Sequence, residues 1–243
     1  MTKTKKQDKE QNINDLWEKY IKPAYEEYEK ECKDSVPNYF VPDIENCDKK
    51  DVKYIILVES PHTDEVNSAE NTEDRYPLAG NSGKSVAKFL FDLDDSIGNL
   101  IKNNATSIPN TAIVNVCNVP LQLVKKSNDT DKNTKETINN VYNELEDDLK
   151  YVRDNCKVIE GLKENLETRL AEYKESNATI IVCGEFAQTY FDGIKKDFSN
   201  FKALYVPHPS RNQWQFVYDH KDDVSILLLL LINKDFISSY SLG

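Results

Sequence analysis

Three short constellations carry side chains able to do chemistry: Glu59-Ser60-Pro61-His62, Asn115, and His208-Pro209-Ser210. A carboxylate can orient water or take its proton. An amide offers one donor and one acceptor face to the edge of a heterocycle. An imidazole can give or accept a proton near neutral pH. Each constellation follows or ends an apolar run that reads as a strand, and in an open parallel sheet ligands bind beyond the carboxyl ends of strands. The topology therefore predicts that Glu59, Ser60, His62, Asn115 and His208 line one pocket suited to reading and activating a heterocycle. Structural roles compete at each position. His208, between two prolines, could cap a turn, and His62 in a polar loop could be solvated. Glu59 could pair with a lysine, and Asn115, like the nearby Asn118, could satisfy loop backbone.

The elements that must position these groups are legible as periodicity. Lys53–Glu59 is a continuous apolar run of the kind buried on both faces of a sheet. Ala112–Cys117, Thr179–Cys183 and Lys202–Val206 are three more strand candidates, the last running into Pro207. Helices are expected at Asn14–Cys32, from Ser85 to Leu93, from about Glu185 to Lys195, and at Asp222–Lys234. Ser60–Gly83 reads as a functional loop. From Val141 to Tyr173 apolar residues step by three and four, predicting one long helix or a helical hairpin with a bend at Gly161. That segment either packs on the domain or offers a face to a partner. Strands alternating with helices give an α/β class.

The chain has 243 residues, 30% of them charged and 39% hydrophobic, with a net charge of -11. The mean hydropathy is -0.66. The longest apolar run, Ile226–Ile232, is too short for a membrane span, and Met1–Asn12 has no apolar signal core, so a cytoplasmic protein with no membrane contact is expected. The acidic balance predicts modest, salt-sensitive affinity for nucleic acid in general. The five cysteines form no CxxC pair, so neither a metal nor another cofactor is expected. Gly80–Ser85 resembles the end of a phosphate-binding loop, but Leu78 stands where its first glycine belongs and no strand precedes it. Amides at that helix start could still hold a phosphate.

Taken in order, these segments are similar to the motifs of the uracil-DNA glycosylase superfamily. Val58–His62 looks like its first motif, and Tyr76–Gly83 resembles the Pro-containing loop and following glycine of the iron–sulfur branch. Asn115-Val116-Cys117 resembles the strand that reads the base edge, and Ile181–Ala187 the strand-to-helix step. His208-Pro209-Ser210 matches the second catalytic motif, and Arg211-Asn212 is similar to the single-strand-selective branch. The resemblance implies that a base is flipped from the stack into the pocket. His208 would donate to the base oxygen and Glu59 would orient the attacking water. Ser60, Pro61, His62, Leu78, Asn115 and Ser210 would contact the base or sugar. Gly83, Lys84, Ser85 and Arg211 would hold the DNA backbone. The chain departs from the pattern at Ser60, where the most efficient branch has aspartate, and at Leu78, where a stacking ring is expected. Val58 and His62 replace glycines, and the missing CxxC removes the cluster.

The expected architecture is a three-layer αβα sandwich with a four-stranded, mainly parallel sheet. Residues 1–13 form a polar tail and 14–243 the glycosylase-like domain, with a helical insertion over about 127–176. The expected function is hydrolysis of a DNA-base glycosidic bond, in repair or in defence against phage DNA carrying modified bases. Two alternatives stand beside it. One is a non-catalytic module binding a nucleotide or single-stranded DNA. The other is a protein that dimerises or binds a partner through Val141–Tyr173.

Overall fold

The computed structural model describes Ile13 and residues 15–30, 39–62, 65–66, 75–121, 145, 147–210 and 213–214. The expected closing helix, His220, Arg211, the loop at Ser127–Thr134 and all but Ile13 of the polar tail lie outside those residues. Two compact units share the chain. One comprises Met1–Pro42, Ser60–Arg75 and Cys117–Leu166; the other comprises Asp43–Glu59, Tyr76–Val116 and Glu167–Gly243.

The second unit holds the sheet. Its strands are β1 (Ile44–Glu45), β2 (Tyr54–Val58), β3 (Thr111–Asn115), β4 (Thr179–Cys183) and β5 (Lys202–Val206), in the order β1-β3-β2-β4-β5. The four strands expected from the apolar runs are parallel to one another. A fifth, β1, pairs antiparallel with β3. Its two residues are too few to show any period, which is why the sequence did not announce it. The α/β class with a mostly parallel sheet is as expected.

Chain order and strand order together place the site. From β2 the chain passes through two helices, Asn81–Phe91 and Ile97–Lys102, to reach β3 on one side. From β4 it passes through Gly184–Ile194 to reach β5 on the other. Right-handed crossovers in opposite directions put these helices on opposite faces, and the order reverses between β2 and β4. On one face Ile56, Val58, Ile113, Ile181 and Cys183 form a core with Leu78, Val86, Ala87, Ile97 and Trp214.

The helix Asn81–Phe91 begins four residues before the expected Ser85. Gly83, read from sequence as loop, lies in its first turn and is buried. A Cβ there would overlap the Leu78 carbonyl oxygen. Leu78 itself has a left-handed backbone, φ 55°, and its carbonyl accepts from Gly98 N–H at 3.3 Å. The turn before the helix is therefore packed against the helix's own first turn, and only glycine leaves room.

The other unit contains the helix Lys22–Lys30, preceded by a π turn at Trp17–Ile21. Pro23 cannot donate to the preceding turn, and the backbone there widens so that Lys22 N–H reaches the Trp17 carbonyl. Tyr25 Oη donates to Asn118 Oδ1 at 2.9 Å and accepts from Asn118 N–H at 3.0 Å, while Asn118 Nδ2 donates to the Val41 carbonyl at 2.7 Å. Asn118 is thus committed to the fold.

Of the two expected forms, one long helix or a helical hairpin, the described residues exclude the unbroken helix. Residues 147–154 are helical, 155–159 are not, and a new helix runs Glu160–Ala171. Cys156 takes the left-handed backbone that turns the chain, φ 46°. Gly161 lies inside the second helix rather than at a bend, with Trp17 packed against it. Leu149, Val152, Ile159, Leu162, Leu166, Leu170 and Tyr173 are all buried, while Leu145 and Cys156 are half-buried, so most of the described stripe is core. Among the described residues no helix is long and apolar enough to cross a membrane.

Helix propensity alone predicts that Gly83→Ala stabilises the chain by about 1 kcal/mol. The overlap with the Leu78 carbonyl predicts the opposite, a loss of about 1–3 kcal/mol. Chemical denaturation of the variant distinguishes the two, and a rise in stability would contradict the packing described.

Candidate functional site

The carboxyl edge of the sheet collects polar groups from separate strands. Val58 pairs with Asn115 and Cys183 pairs with Val206, all in parallel register. Glu59 follows β2 directly and is half-buried, Gly184 follows β4, and Pro207-His208 follow β5. Glu59, Asn115 and His208 are therefore on one edge of one unit. Asn115 and Val206 stand about 14 Å apart, three interstrand spacings of about 4.8 Å.

Asn115 lies two residues after Ile113, shares its face of the strand and so faces the core described above. Its residue is fully buried. Among the described residues, neither Oδ1 nor Nδ2 has a hydrogen-bond partner. Leaving a buried donor or acceptor unmet costs about 1–3 kcal/mol, and buried polar groups are otherwise met almost without exception. Asn118, three residues on, meets its needs through Tyr25 and Val41. The Asn115 side chain makes no such bonds among the described residues.

The Asn115 backbone, unlike its side chain, is tied on both sides. Asp43 Oδ1 accepts from Asn115 N–H at 3.0 Å. Arg169 Nη1 donates to the Asn115 carbonyl at 2.8 Å and to Asp43 Oδ2 at 2.6 Å. Arg169 Nη2 donates to the Val116 carbonyl at 2.9 Å. The two charged side chains are only 17% and 15% exposed.

His208 is half-buried, and the Ser210 backbone N–H donates to its Nδ1 at 3.2 Å. Burial lowers its pKa to about 4, so the ring is neutral at pH 7. With Nδ1 accepting, the single proton of a neutral ring sits on Nε2. His208 is therefore a neutral Nε2–H donor. Two contacts aim it. Gly184, at φ 85°, lies so close that a Cβ would stand 2.9 Å from His208 Cβ. The Trp214 indole N–H donates to the Pro207 carbonyl at 2.6 Å, and the Trp214 ring meets Phe89 edge-on at 5.3 Å.

The remaining expected residues are distributed differently. Ser60, Pro61 and His62 belong to the other unit. There Ser60 Oγ accepts from Leu121 N–H at 3.4 Å, Pro61 is buried, and exposed His62 opens a turn in which its N–H donates to Glu65 Oε2 at 3.1 Å. Leu78 is 6% exposed and sits in the core, not as an open stacking surface. Lys84 N–H closes on the Gly80 carbonyl at 3.1 Å. The amides without an intrahelical partner are thus those of Asn81, Ser82 and Gly83, one turn earlier than expected. Ser85 is buried within the helix, so it is withdrawn from contact with a phosphate; the Lys84 side chain is exposed. Ser210 contributes its backbone to His208.

Sequence reasoning missed Asp43, Arg169, Gly184 and Trp214. Gly184 had a signal, a glycine directly after a strand. Arg169 had none, being one charge on a helix dense in Glu and Lys. Among the described residues no three His, Cys, Asp or Glu side chains are grouped to hold a metal. No protein-family model matches the chain, and no curated protein matches it.

A histidine that is neutral when folded, with a pKa of about 4 against an ordinary 6.5, has a signed consequence. Between those values the unfolded chain binds the extra proton and the folded chain does not. Stability from this group is complete above pH 6.5 and is lost as pH falls toward 4. The melting temperature should therefore fall more steeply over that window in the native chain than in His208→Gln. Equal slopes would show that His208 is not held neutral.

Proposed function

We propose that the chain is a DNA-base N-glycosylase-like protein that takes an extrahelical base at the carboxyl edge of its sheet. The observation that carries this reading is the buried Asn115 amide, unmet among the described residues, on the same edge as a neutral histidine donor. Reaching that amide requires side chains at the edge to move aside. Once a base is seated, Asn115 would hydrogen-bond its edge in a water-poor environment where such bonds are strong. The C1′–N bond breaks, its electron pair passes to the base, and a sugar with oxocarbenium character remains. His208 Nε2–H donates to the base oxygen as negative charge gathers there, stabilising the transition state more than the ground state. Water adds to C1′ and releases its proton to Glu59, which orients it. DNA phosphate would meet the Asn81 and Ser82 amides and the Lys84 side chain. Repair and defence against modified phage DNA are both consistent with this chemistry.

Leu78 in the core leaves no ring at the stacking position. Stacking on an aromatic is worth about 1–3 kcal/mol per base, so uracil should be excised slowly relative to some other base. A non-catalytic nucleotide- or single-strand-binding module would keep the same Asn115 amide and is the second reading.

Single-turnover assays on single- and double-stranded oligonucleotides carrying uracil or modified bases separate the two. The glycosylase reading predicts excision that His208→Ala slows by about 10²–10³-fold. DNA affinity and melting temperature at pH 7 should change far less, because phosphate contacts dominate affinity. An unchanged rate in a folded His208→Ala would remove His208 from the mechanism. Binding without excision of any base would favour the module.

A further inference from the structure

The end of β3 presents a problem that the sheet does not solve. β1 pairs Ile44 with Ile113 and Glu45 with Ala112. Continued by two residues, this antiparallel register sets position 42 opposite Asn115, and position 42 is a proline. A residue there would exchange two backbone hydrogen bonds with Asn115, as the alternation of an antiparallel ladder requires. Proline has no N–H to give. Side chains supply what the missing strand does not: Asp43 Oδ1 accepts the Asn115 N–H and Arg169 donates to the Asn115 carbonyl. The same guanidinium bonds Asp43 Oδ2 and the Val116 carbonyl. Its planar fork thus holds two successive carbonyls and one carboxylate at fixed angles.

We infer that the Asp43–Arg169 pair is a positioning device, which fixes the Asn115 backbone so that its amide is held in place although, among the described residues, it has no hydrogen-bond partner of its own. This rests on Asn115 reading a base, but the device itself can be tested without DNA. A side chain left without protein hydrogen bonds is free to turn unless its backbone and packing are set. Here the backbone is set by a charged pair lying mostly out of solvent, not by the ladder. Arg169 touches no substrate in this account and acts only through Asn115.

The test uses the full chain and the Asn side-chain amide signals in a ¹⁵N–¹H spectrum, with the Asn115 pair identified by its loss in Asn115→Ala. Arg169→Lys keeps the charge and loses the fork; Arg169→Met loses both. Positioning predicts that in Arg169→Lys the Asn115 pair shifts toward the free-amide position while the Asn118 pair, held by Tyr25 and Val41, stays where it was. Arg169→Met should move it further. On a single-stranded oligonucleotide carrying one uracil, kcat for excision should fall by about 10²-fold in Arg169→Lys, the scale of a displacement of about 1 Å, with DNA affinity nearly unchanged. An unmoved Asn115 signal in folded Arg169→Lys overturns the inference. So does failure of both variants to fold, which would make the pair a support of the fold alone. If the native chain excises nothing, the base-reading proposal fails separately, and the spectra still decide whether the pair positions Asn115.

Discussion

The half-buried pair of Asp43 and Arg169 holds together the part of the molecule on which the site depends. It closes the backbone of β3 where β1 has ended, and it ties a helix from late in the chain to a strand from its middle. Taking two charges out of water is costly, and a hydrophobic pair of similar volume is often as stable. The pair is better understood by what it does locally. It meets the needs of the Asn115 main chain and leaves the amide side chain to face an apolar core. Removing one partner would strand the other charge, at a cost of about 3–5 kcal/mol.

Beyond that clamp, the carboxyl edge follows one physical theme, which is polar groups held where water is scarce. Burial keeps His208 neutral, and the Ser210 N–H selects the tautomer with its proton on Nε2. Trp214 and Gly184 fix the turn that carries it, one by holding the Pro207 carbonyl and the other by giving way to the imidazole's own backbone. A neutral donor suits a departing anion in one respect: it stabilises the developing charge without demanding that a buried cation be maintained in the resting chain. The net charge of -11 implies modest affinity for DNA in general, so that discrimination between bases would rest on the pocket.

Much of this edge was legible in the residues. Thr179–Cys183 and Lys202–Val206 became strands over the span their apolar runs suggested; Lys53–Glu59 became β2 with both ends trimmed, and Ala112–Cys117 became β3, which starts one residue earlier and ends two residues sooner. A strand buried on both faces must be apolar throughout, so its sequence is conspicuous. The polar residues that end such runs are conspicuous for the same reason, which is how Glu59, Asn115 and His208 could be placed on one edge. What escaped had no local signature. β1 is two residues long. Gly83 looks like a loop residue, yet it is needed inside a helix for its missing Cβ. The periodicity from Val141 to Tyr173 runs unbroken through a left-handed turn at Cys156, because both helical pieces bury the same kind of side chain. Arg169 acts at 54 residues' separation from Asn115, and nothing in its local sequence marks it as other than a surface charge.

The proposed mechanism needs Asn115 and His208 to serve one bound base. The most direct measurement is a crystal structure with the single-stranded oligonucleotide that binds most tightly in a panel of modified bases, its sugar fluorinated to resist cleavage. The account predicts an unstacked base at the carboxyl edge between β2 and β4, its edge bonded to the Asn115 amide and an oxygen within hydrogen-bond reach of His208 Nε2. A base held elsewhere, with the Asn115 amide still enclosed and unmet, would contradict it.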